Sequence, residues 1–361
     1  MTAISPSRRL RRTVFSAGVE QAGVKSYTVY NHMLLPTVFS SVVEDYHHLK
    51  HHVQLWDVSC ERQISITGPD ARRLMTLLSP RDLSRMADDQ CFYIPVICRQ
   101  GGMLNDPVAV KLADDHYWVS IADSDFLQYV LGVADALQLQ VEIEEPDVSP
   151  LGVQGPKADA LLEKLFGPAI RDIRFFRYRK LAFEGHEMII ARSGFSKQGG
   201  FEIYVEGSEY AMPLWEALMQ AGEALEVRAG CPNLIERIEG GLLSYGNDMT
   251  RANTPYEAGL GRFINATSDY IGKAGLACRP AEKMIRPIAI EGEIPVCDRL
   301  WPVYAEGRQV GAVSSAAFSP DFEISVAIGM ISKSHWDAGT RFEVESQDAM
   351  HPAQVAEGFW S

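Results

Sequence analysis

Two carboxylates stand in the sequence at positions where a carboxylate needs a partner. Glu202 lies inside an otherwise apolar strand-like run, FEIYV, and Asp106 follows a glycine turn and directly precedes Pro107. A carboxylate among apolar neighbours must accept hydrogen bonds or become protonated, and a proline cannot donate to a strand ladder. Glu202 is therefore a candidate for holding a ligand that carries N–H donors, and Asp106 for orienting or acid–base chemistry at a strand edge. The alternatives without function are an outward-facing Glu202 and a simple Asx turn at Asp106.

The motifs of several common enzyme classes are missing. The sequence has no Walker A loop, no H-E-x-x-H and no G-x-S-x-G, and the nearest dinucleotide fingerprint, GLG at 259–261, lacks its third glycine. Two histidine pairs have the i, i+4 spacing that suits zinc or nickel; they are formed by His47, His48, His51 and His52. No carboxylate or thiolate nearby completes that set, and the solvated face of a helix explains it equally well. We therefore expect no metal.

Composition and charge restrict the possible partners. The chain has 361 residues with 46% hydrophobic and 22% charged content, enough for two or three domains, and a formal net charge of −13. Such a charge opposes binding to a phosphate backbone, so no nucleic acid is expected. The apolar runs are far shorter than the roughly 20 residues of a membrane span, and the basic N-terminal segment has no apolar region behind it. Six singly scattered cysteines favour reduced thiols and a cytoplasmic location.

Helical and strand patterns alternate along the chain. The apolar spacing predicts helices at 40–53, 158–166 and 210–221, and strands at 91–98, 107–112, 116–121, 151–154, 187–191 and 200–205. Because strands come in pairs or triplets between helices, an α+β fold is favoured over a doubly wound parallel sheet. From about Ala281 the pattern is almost entirely short strands. We therefore expect one region at 1–280, with two subdomains, and a β-rich domain at 281–361.

Several segments, in this order, resemble the aminomethyltransferase family, which includes the glycine cleavage T-protein. The matching stretches are WDVS (56–59), GPDAR (68–72), GGMLND (101–106), VQGPKA (153–158), SGFSKQGGFEI (193–203), EGGLLSYGNDM (239–249) and SxxFSP (315–320). Any one of them alone is weak, whereas the ordered set is specific. The resemblance implies a multi-domain α+β fold, a cloverleaf of α+β domains with a barrel-like C-terminal domain, and tetrahydrofolate as the one-carbon acceptor.

Further segments resemble the branch of that family that demethylates dimethylsulfoniopropionate. They are SRRLRRTxF (7–15), AGVK (22–25), YTVYNHMLLP (27–36), LNDP (104–107), SKQGGFEIYV (196–205) and RAGCPN (228–233). This resemblance implies that a methyl group passes from the sulfonium of a small zwitterion to N5 of tetrahydrofolate. A sulfonium is already an activated electrophile, so the reaction needs alignment and exclusion of water, without a covalent nucleophile or a metal.

The resemblance also assigns roles to individual residues. Asp106 matches the folate-side carboxylate of the family, Glu202 the carboxylate that binds the pterin ring, and Tyr93 a tyrosine of the folate pocket. Phe195 stands where relatives tend to carry tyrosine, which puts a hydrogen bond from that hydroxyl in doubt. Pro232 replaces a family arginine, so the folate tail or the substrate must be anchored differently.

The substrate itself suggests further candidates. Aromatic faces suit a sulfonium as they suit a quaternary ammonium, although each aromatic residue taken singly is more typical of a core. The candidate walls are Tyr30, Trp56, Phe175, Phe176 and Phe195. The candidate cations for the substrate carboxylate and the folate tail are Arg177, Arg192 and Lys197.

Two alternatives stay open on the sequence. The same fold and folate would serve another donor: a methylamine, a betaine, a methyl ether or a lipoyl-bound aminomethyl group, although Asn105 in place of a family aspartate argues against the last. Otherwise the protein is a non-catalytic folate-binding relative. A homodimer is expected on family grounds only.

Overall fold

The computed structural model describes residues 7–347 and 349–360, and residues 1–6 of the basic N-terminal segment lie outside them. The chain forms two compact units, each built from separate segments. Unit 1 contains the chain up to Arg72, Met86–Phe92 and Val108–Asn233. Unit 2 contains Arg73–Arg85, Tyr93–Pro107 and the chain from Leu234 onward.

The elements alternate along the chain in short pieces. The helices are α1 (Ser16–Gln21), α2 (Val42–His51), α3 (Ala71–Leu78), α4 (Phe126–Ala136), α5 (Ala158–Phe166), α6 (Ala211–Ala221), α7 (Leu234–Glu239) and α8 (Lys273–Ala277), with 3-10 turns at Pro168–Asp172, Ser208–Tyr210, Glu223–Leu225 and Gly261–Phe263. The strands up to residue 206 are β1 (Ser26–Tyr30), β2 (Met33–Val38), β3 (Gln54–Asp57), β4 (Gln63–Thr67), β5 (Cys91–Tyr93), β6 (Val96–Ile97), β7 (Met103–Asn105), β8 (Val108–Ala113), β9 (His116–Ser120), β10 (Glu142–Glu144), β11 (Val148–Gln154), β12 (Tyr178–Phe183), β13 (His186–Ala191) and β14 (Gly200–Glu206). They are followed by β15 (Arg228–Gly230), β16 (Lys283–Ile290), β17 (Trp301–Ala305), β18 (Arg308–Ser319), β19 (Ile324–Ser332), β20 (Arg341–Glu345) and β21 (Met350–Val355).

Unit 1 is organised around a six-stranded sheet in the order β12-β13-β14-β11-β3-β15. Successive side chains of a strand point to opposite faces. In β14, Phe201 and Ile203 therefore enter the core that also holds Leu161 of α5 and Leu214 of α6. On the opposite face, Tyr204 packs with residues of the five-stranded sheet β10-β4-β9-β8-β5. Glu202 belongs to this second face, which is not the one covered by the helices.

Unit 2 contains a closed barrel in the order β16-β19-β18-β17-β20-β21. Its interior is filled by Trp301, Val303, Val313 and Val344, all nearly inaccessible to solvent. Closure leaves no unpaired strand edge, which suits a small all-β unit. The α+β class with a barrel at the C-terminal end is thus confirmed; the domain boundary at 281 stays a prediction.

Several predicted elements match, and one does not. The helix predicted at 158–166 has the same bounds as α5. The single strand predicted at 91–98 is two strands, β5 and β6, because Pro95 has no N–H for a ladder and the Ile94 N–H donates to Pro107 instead. Among the described residues, no helix is long and apolar enough to cross a membrane.

Candidate functional site

Glu202 lies between small residues in the middle of the six-stranded sheet. Its direct neighbours across the ladder are Ala191 on β13 and Gly152 on β11. Beyond Gly152, the same row continues to Trp56 on β3. Directly opposed residues face the same side of a sheet. On this face of the sheet, the residues directly beside Glu202 on both adjacent strands therefore have little or no side chain.

The Glu202 carboxylate is buried, with 8% of the residue exposed, and is held by a short hydrogen bond. The Ser193 hydroxyl donates to its Oε2 at 2.5 Å. Burial raises the pKa of Glu202 above its ordinary value, and the Ser193 hydrogen bond partly opposes that rise. A ring that offered N–H donors to this carboxylate would favour its ionised form.

The loop between β13 and β14 brings Phe195 to Trp56. Phe195 is half-buried and packs against the cluster of Leu49, Trp56 and Val58. Trp56 is 1% exposed, and its indole Nε1 donates to Gln54 Oε1 at 2.8 Å. The structure thus unites two of the predicted aromatic walls, with Trp56 acting as the buried support of Phe195.

The other predicted aromatics lie elsewhere in unit 1. Phe175 is 72% exposed and stands edge-on to Phe176, with ring centroids 4.7 Å apart. Phe176 has a positive φ of 57° and packs against a buried cluster that includes Val110 and Trp118. A bulky residue in the left-handed region is rare and strained; here Cys91 N–H donates to its carbonyl and its own N–H donates to Arg192. Tyr30 ends β1 and is half-buried.

The predicted cations Arg177 and Arg192 have carboxylate partners in the fold. Arg177 forms an ion pair with Asp89. Arg192 donates to both oxygens of Asp159, at 2.6 and 3.1 Å. Lys197 is exposed in the loop that follows Phe195. Both arginines therefore form ion pairs within the fold, whether or not a ligand is bound.

Asp106 stands in unit 2, directly after β7, in a hairpin that only glycines allow. A Cβ at Gly102 would lie 2.0 Å from the Arg251 carbonyl oxygen, and Gly101 has a φ of 83°. The tight approach fixes the path of β7 and so the position of Asp106. The Tyr93 hydroxyl donates to Asp106 Oδ2 at 2.8 Å. Two of the predicted site residues, Tyr93 and Asp106, are therefore in contact; their roles stay predictions.

The Asp106 carboxyl is poised to exchange a proton near neutral pH. The residue is half-buried, but its Oδ1 is shielded from solvent and has no hydrogen-bond partner among the described residues. Burial raises the pKa of Asp106 to about 7, the Tyr93 hydrogen bond opposes this, and the charge of Asp248 adds to it. A group with a pKa near the working pH is suited to general acid–base chemistry.

The sequence motifs gave no role to a buried ion pair that lies in unit 2 with Asp106. Arg237 on α7 donates to Asp248 Oδ2 at 2.9 Å, and Ser314 and Ser315 of β18 donate to Asp248 Oδ1, both at 2.7 Å. The Asp248 side chain has no exposed surface. The available signal was an aspartate inside the EGGLLSYGNDM stretch and an arginine eleven positions before it, just ahead of that stretch. The network ties α7 and the following loop to the barrel strand.

The histidine pairs of α2 have partners of other kinds. His48 Nε2 lies 2.8 Å from the Glu226 carbonyl oxygen, and His52 Nδ1 lies 2.8 Å from Lys157 Nζ and 3.2 Å from the carboxylate Oε1 of Glu226. Burial lowers the pKa of His48 to about 4. In residues 7–347 and 349–360, no group of three or more His, Cys, Asp or Glu side chains is arranged to hold a metal ion.

Comparison with known proteins places these features in one family. A family model described as the GCVT N-terminal domain matches residues 15–268, and the glycine cleavage T-protein C-terminal barrel domain matches residues 285–359. Dimethylsulfoniopropionate demethylase DmdA of Ruegeria pomeroyi is 66% identical over all of both chains. An aminomethyltransferase of Caldanaerobacter subterraneus is 28% identical over 86% of this chain and 85% of its own.

A solved structure agrees with the fold. The crystal structure of glycine cleavage system aminomethyltransferase T from Bartonella henselae has a TM-score of 0.87 and 22% identity, and 98% of each chain is covered. The likeness includes the α+β units and the terminal barrel that the sequence motifs predicted. The chain belongs to the glycine cleavage T-protein family of aminomethyltransferases.

Proposed function

We propose that the protein is a tetrahydrofolate-dependent demethylase that acts on dimethylsulfoniopropionate and gives methylmercaptopropionate and 5-methyltetrahydrofolate. The observation that carries this assignment is the full-length identity of 66% to a protein named dimethylsulfoniopropionate demethylase. Folate dependence accords with membership of the T-protein family. The protein is thus a methyl-transfer enzyme with a small sulfonium zwitterion and a folate as its two substrates.

The reaction is a single in-line displacement. The lone pair of folate N5 forms a bond to the methyl carbon while the carbon–sulfur bond breaks, and the electron pair of that bond returns to sulfur as a neutral thioether. N5 then loses its proton. Because the sulfonium is already activated, the protein mainly has to align the two substrates and exclude water.

Glu202 is the proposed anchor of the pterin ring. Its carboxylate accepts the ring N–H groups, and the Ser193 hydroxyl holds Oε2 in place at 2.5 Å. Its direct neighbours across the ladder, Ala191 and Gly152, are small residues that do not cover the carboxylate with long side chains. A carboxylate facing several N–H donors makes the strong, charge-assisted hydrogen bonds that fix a ring in one orientation.

Asp106 is the proposed orienting and proton-accepting group. Its Oδ2 is fixed by Tyr93, while Oδ1 is shielded from solvent and has no hydrogen-bond partner among the described residues, so that a donor on the folate would satisfy it. A pKa of about 7 allows this carboxyl to take up the proton that methylated N5 releases. Tyr93 is thereby the residue that sets which oxygen faces the folate.

The sulfonium and the substrate carboxylate need different surroundings. We assign the aromatic wall to Phe195, supported by Trp56, with Tyr30, Phe175 and Phe176 as further proposed contacts. The proposed cations are Lys197 and Arg177. Since Arg177 already pairs with Asp89, its charge would be shared between that partner and a bound carboxylate.

The remaining properties are proposed on the sequence. They are a cytoplasmic location, action without a metal and without nucleic acid, a homodimer, and a domain boundary near residue 281. Membership of the family alone does not decide the donor, so a methylamine, a betaine, a methyl ether and a lipoyl-bound aminomethyl group are the competing substrates. Folate binding without catalysis is the other competing function.

One assay tests the assignment. The purified protein is mixed anaerobically with tetrahydrofolate and dimethylsulfoniopropionate, and 5-methyltetrahydrofolate and methylmercaptopropionate are followed by chromatography. We expect both products in equal amounts, and an Asp106→Ala variant should lower turnover at least about tenfold. Absence of both products from a protein that still binds folate would refute the assignment. Parallel reactions with glycine betaine and methylamine identify a different donor.

A further inference from the structure

We propose that Gln154 is a positioning residue that holds the β13–β14 loop in the shape needed for folate binding. This inference rests on the proposed function of that loop, which carries Ser193 and Phe195. Gln154 is the last residue of β11 and is 1% exposed. It belongs to the VQGPKA stretch (153–158), to which the family resemblance assigned no role in the site.

The side-chain amide of Gln154 forms hydrogen bonds with both ends of the loop and with its middle. Its Nε2 donates to the Ser193 carbonyl oxygen at 3.0 Å and to the Phe201 carbonyl oxygen at 3.1 Å. Its Oε1 accepts from the Ser196 hydroxyl at 2.9 Å. The start, the middle and the end of the loop are therefore attached to one buried group.

Two glycines let the loop come this close. A Cβ at Gly194 would lie 2.1 Å from Gln154 Nε2, and a Cβ at Gly200 would lie 2.9 Å from the same atom. Both glycines have positive φ, 142° and 145°, so a side chain there would be strained as well as obstructed. The loop encloses the Gln154 amide, so replacing this side chain should change the path of the loop backbone.

The consequence for the site follows from what the loop carries. The Ser193 carbonyl is held by Gln154, while the Ser193 hydroxyl donates to Glu202. Phe195, two residues later, packs against the Trp56 cluster. A loop released from Gln154 would therefore misplace the partner of the proposed pterin anchor and the proposed aromatic wall together.

Glutamine is the side chain that this arrangement requires. It offers two N–H donors for two carbonyls and one acceptor for a hydroxyl. Methionine keeps a similar length but offers no donor. Glutamate keeps the acceptor but directs a charge at two carbonyl oxygens, and only its protonated form regains one donor.

The test compares Gln154→Met with a matched buried glutamine. Gln63 is also 1% exposed; its Nε2 donates to the Glu61 carbonyl and its Oε1 accepts from Ser120, both at 2.9 Å. Affinity for 5-methyltetrahydrofolate, which binds without turnover, is measured by calorimetry. We expect Gln154→Met to raise Kd at least about tenfold and Gln63→Met to change it less than about twofold, at similar losses of thermal stability.

Two further variants keep the test decisive if Gln154→Met does not fold. Ser196→Ala, at a half-buried position, removes the hydrogen bond to Gln154 Oε1 and a longer one of 3.3 Å from the Gln198 N–H, and should raise Kd about threefold. Gln154→Glu should bind more tightly relative to wild type as the pH falls, because protonation restores one donor. Trypsin cleavage after Lys197 should be faster in the Gln154 variants than in wild type or Gln63→Met.

The outcomes separate this inference from the proposed reaction. Wild-type affinity and wild-type cleavage rates in the Gln154 variants would overturn it, as would an equal loss of affinity in Gln63→Met. Neither the affinity measurement nor the cleavage measurement uses a methyl donor. Both therefore test the role of Gln154 even if the wild-type protein does not demethylate dimethylsulfoniopropionate. Absence of the two products in the demethylation assay counts against the proposed function alone.

Discussion

Replacing Asp106 with asparagine should stabilise the folded protein at neutral and alkaline pH while removing most of its activity. The amide has the shape of the carboxyl group, can still accept from Tyr93, and cannot ionise. In the wild type, ionisation leaves a charge whose Oδ1 is shielded from water and has no partner among the described residues. The variant avoids that charge, but it cannot take a proton from N5.

The size of the effect follows from the pKa. Burial raises the pKa of Asp106 from 3.8 to about 7, and the repulsion from Asp248 contributes in the same direction. A rise of about three units corresponds to about 4 kcal/mol at about 1.4 kcal/mol per unit. Because the side chain is only half-buried, solvent screens part of this cost, and roughly 2 kcal/mol is the expected gain in the free energy of unfolding.

The sign depends on pH in a definite way. The folded-state pKa lies above that of the unfolded chain, so the wild type has its full stability near pH 4 and loses it progressively as the pH rises to about 7. The advantage of Asp106→Asn should therefore be near zero at about pH 4, grow between about pH 4 and 7, and stay constant above.

Urea unfolding at several pH values measures this difference. Asp135→Asn, on the exposed face of α4, is the control for the loss of one negative charge and should change the free energy of unfolding by less than about 0.5 kcal/mol. Turnover of Asp106→Asn should fall at least about tenfold. A stability difference that is flat between about pH 4 and 8, or that favours the wild type at high pH, would refute the electrostatic account of Asp106.

Four other substitutions, at three positions, test separate contacts. Ser193→Ala removes the hydrogen bond that lowers the Glu202 pKa, so the pKa should rise further and folate affinity, measured by calorimetry, should recover only at higher pH. Phe195→Tyr should change turnover less than about twofold, because the ring packs against apolar neighbours, whereas Phe195→Ala should raise the KM for the sulfonium about tenfold. Asp248→Ala should lower the free energy of unfolding by about 3–5 kcal/mol in urea, because Arg237 would stay buried without its partner.

At each of the three positions, one result would contradict the prediction. An unchanged pH profile in Ser193→Ala would show that the hydroxyl does not control Glu202. A large gain in turnover with Phe195→Tyr would show that a hydroxyl matters at that position and is missing here. A loss below about 1 kcal/mol in Asp248→Ala, the range typical of an exposed pair, would show that the ion pair is not effectively buried.

The sequence by itself was sufficient for those features whose cause is local. Alternation with period two marked the strand around Glu202, a glycine turn before a proline marked Asp106, and turn residues between short strands marked the β-rich end of the chain. Ordered motifs then identified the family. These patterns are visible in the sequence because strand faces and turns depend on residues only a few positions apart.

Only the tertiary structure decided which side chains cooperate. Gln154 reaches Ser193 across 39 positions, and Arg237 reaches Ser315 across 78. It also showed that Arg177 and Arg192, predicted as ligand cations, already pair with carboxylates of the fold. Hydrogen bonds and ion pairs form between groups that folding brings within about 3 Å, and this proximity leaves no periodic trace along the chain.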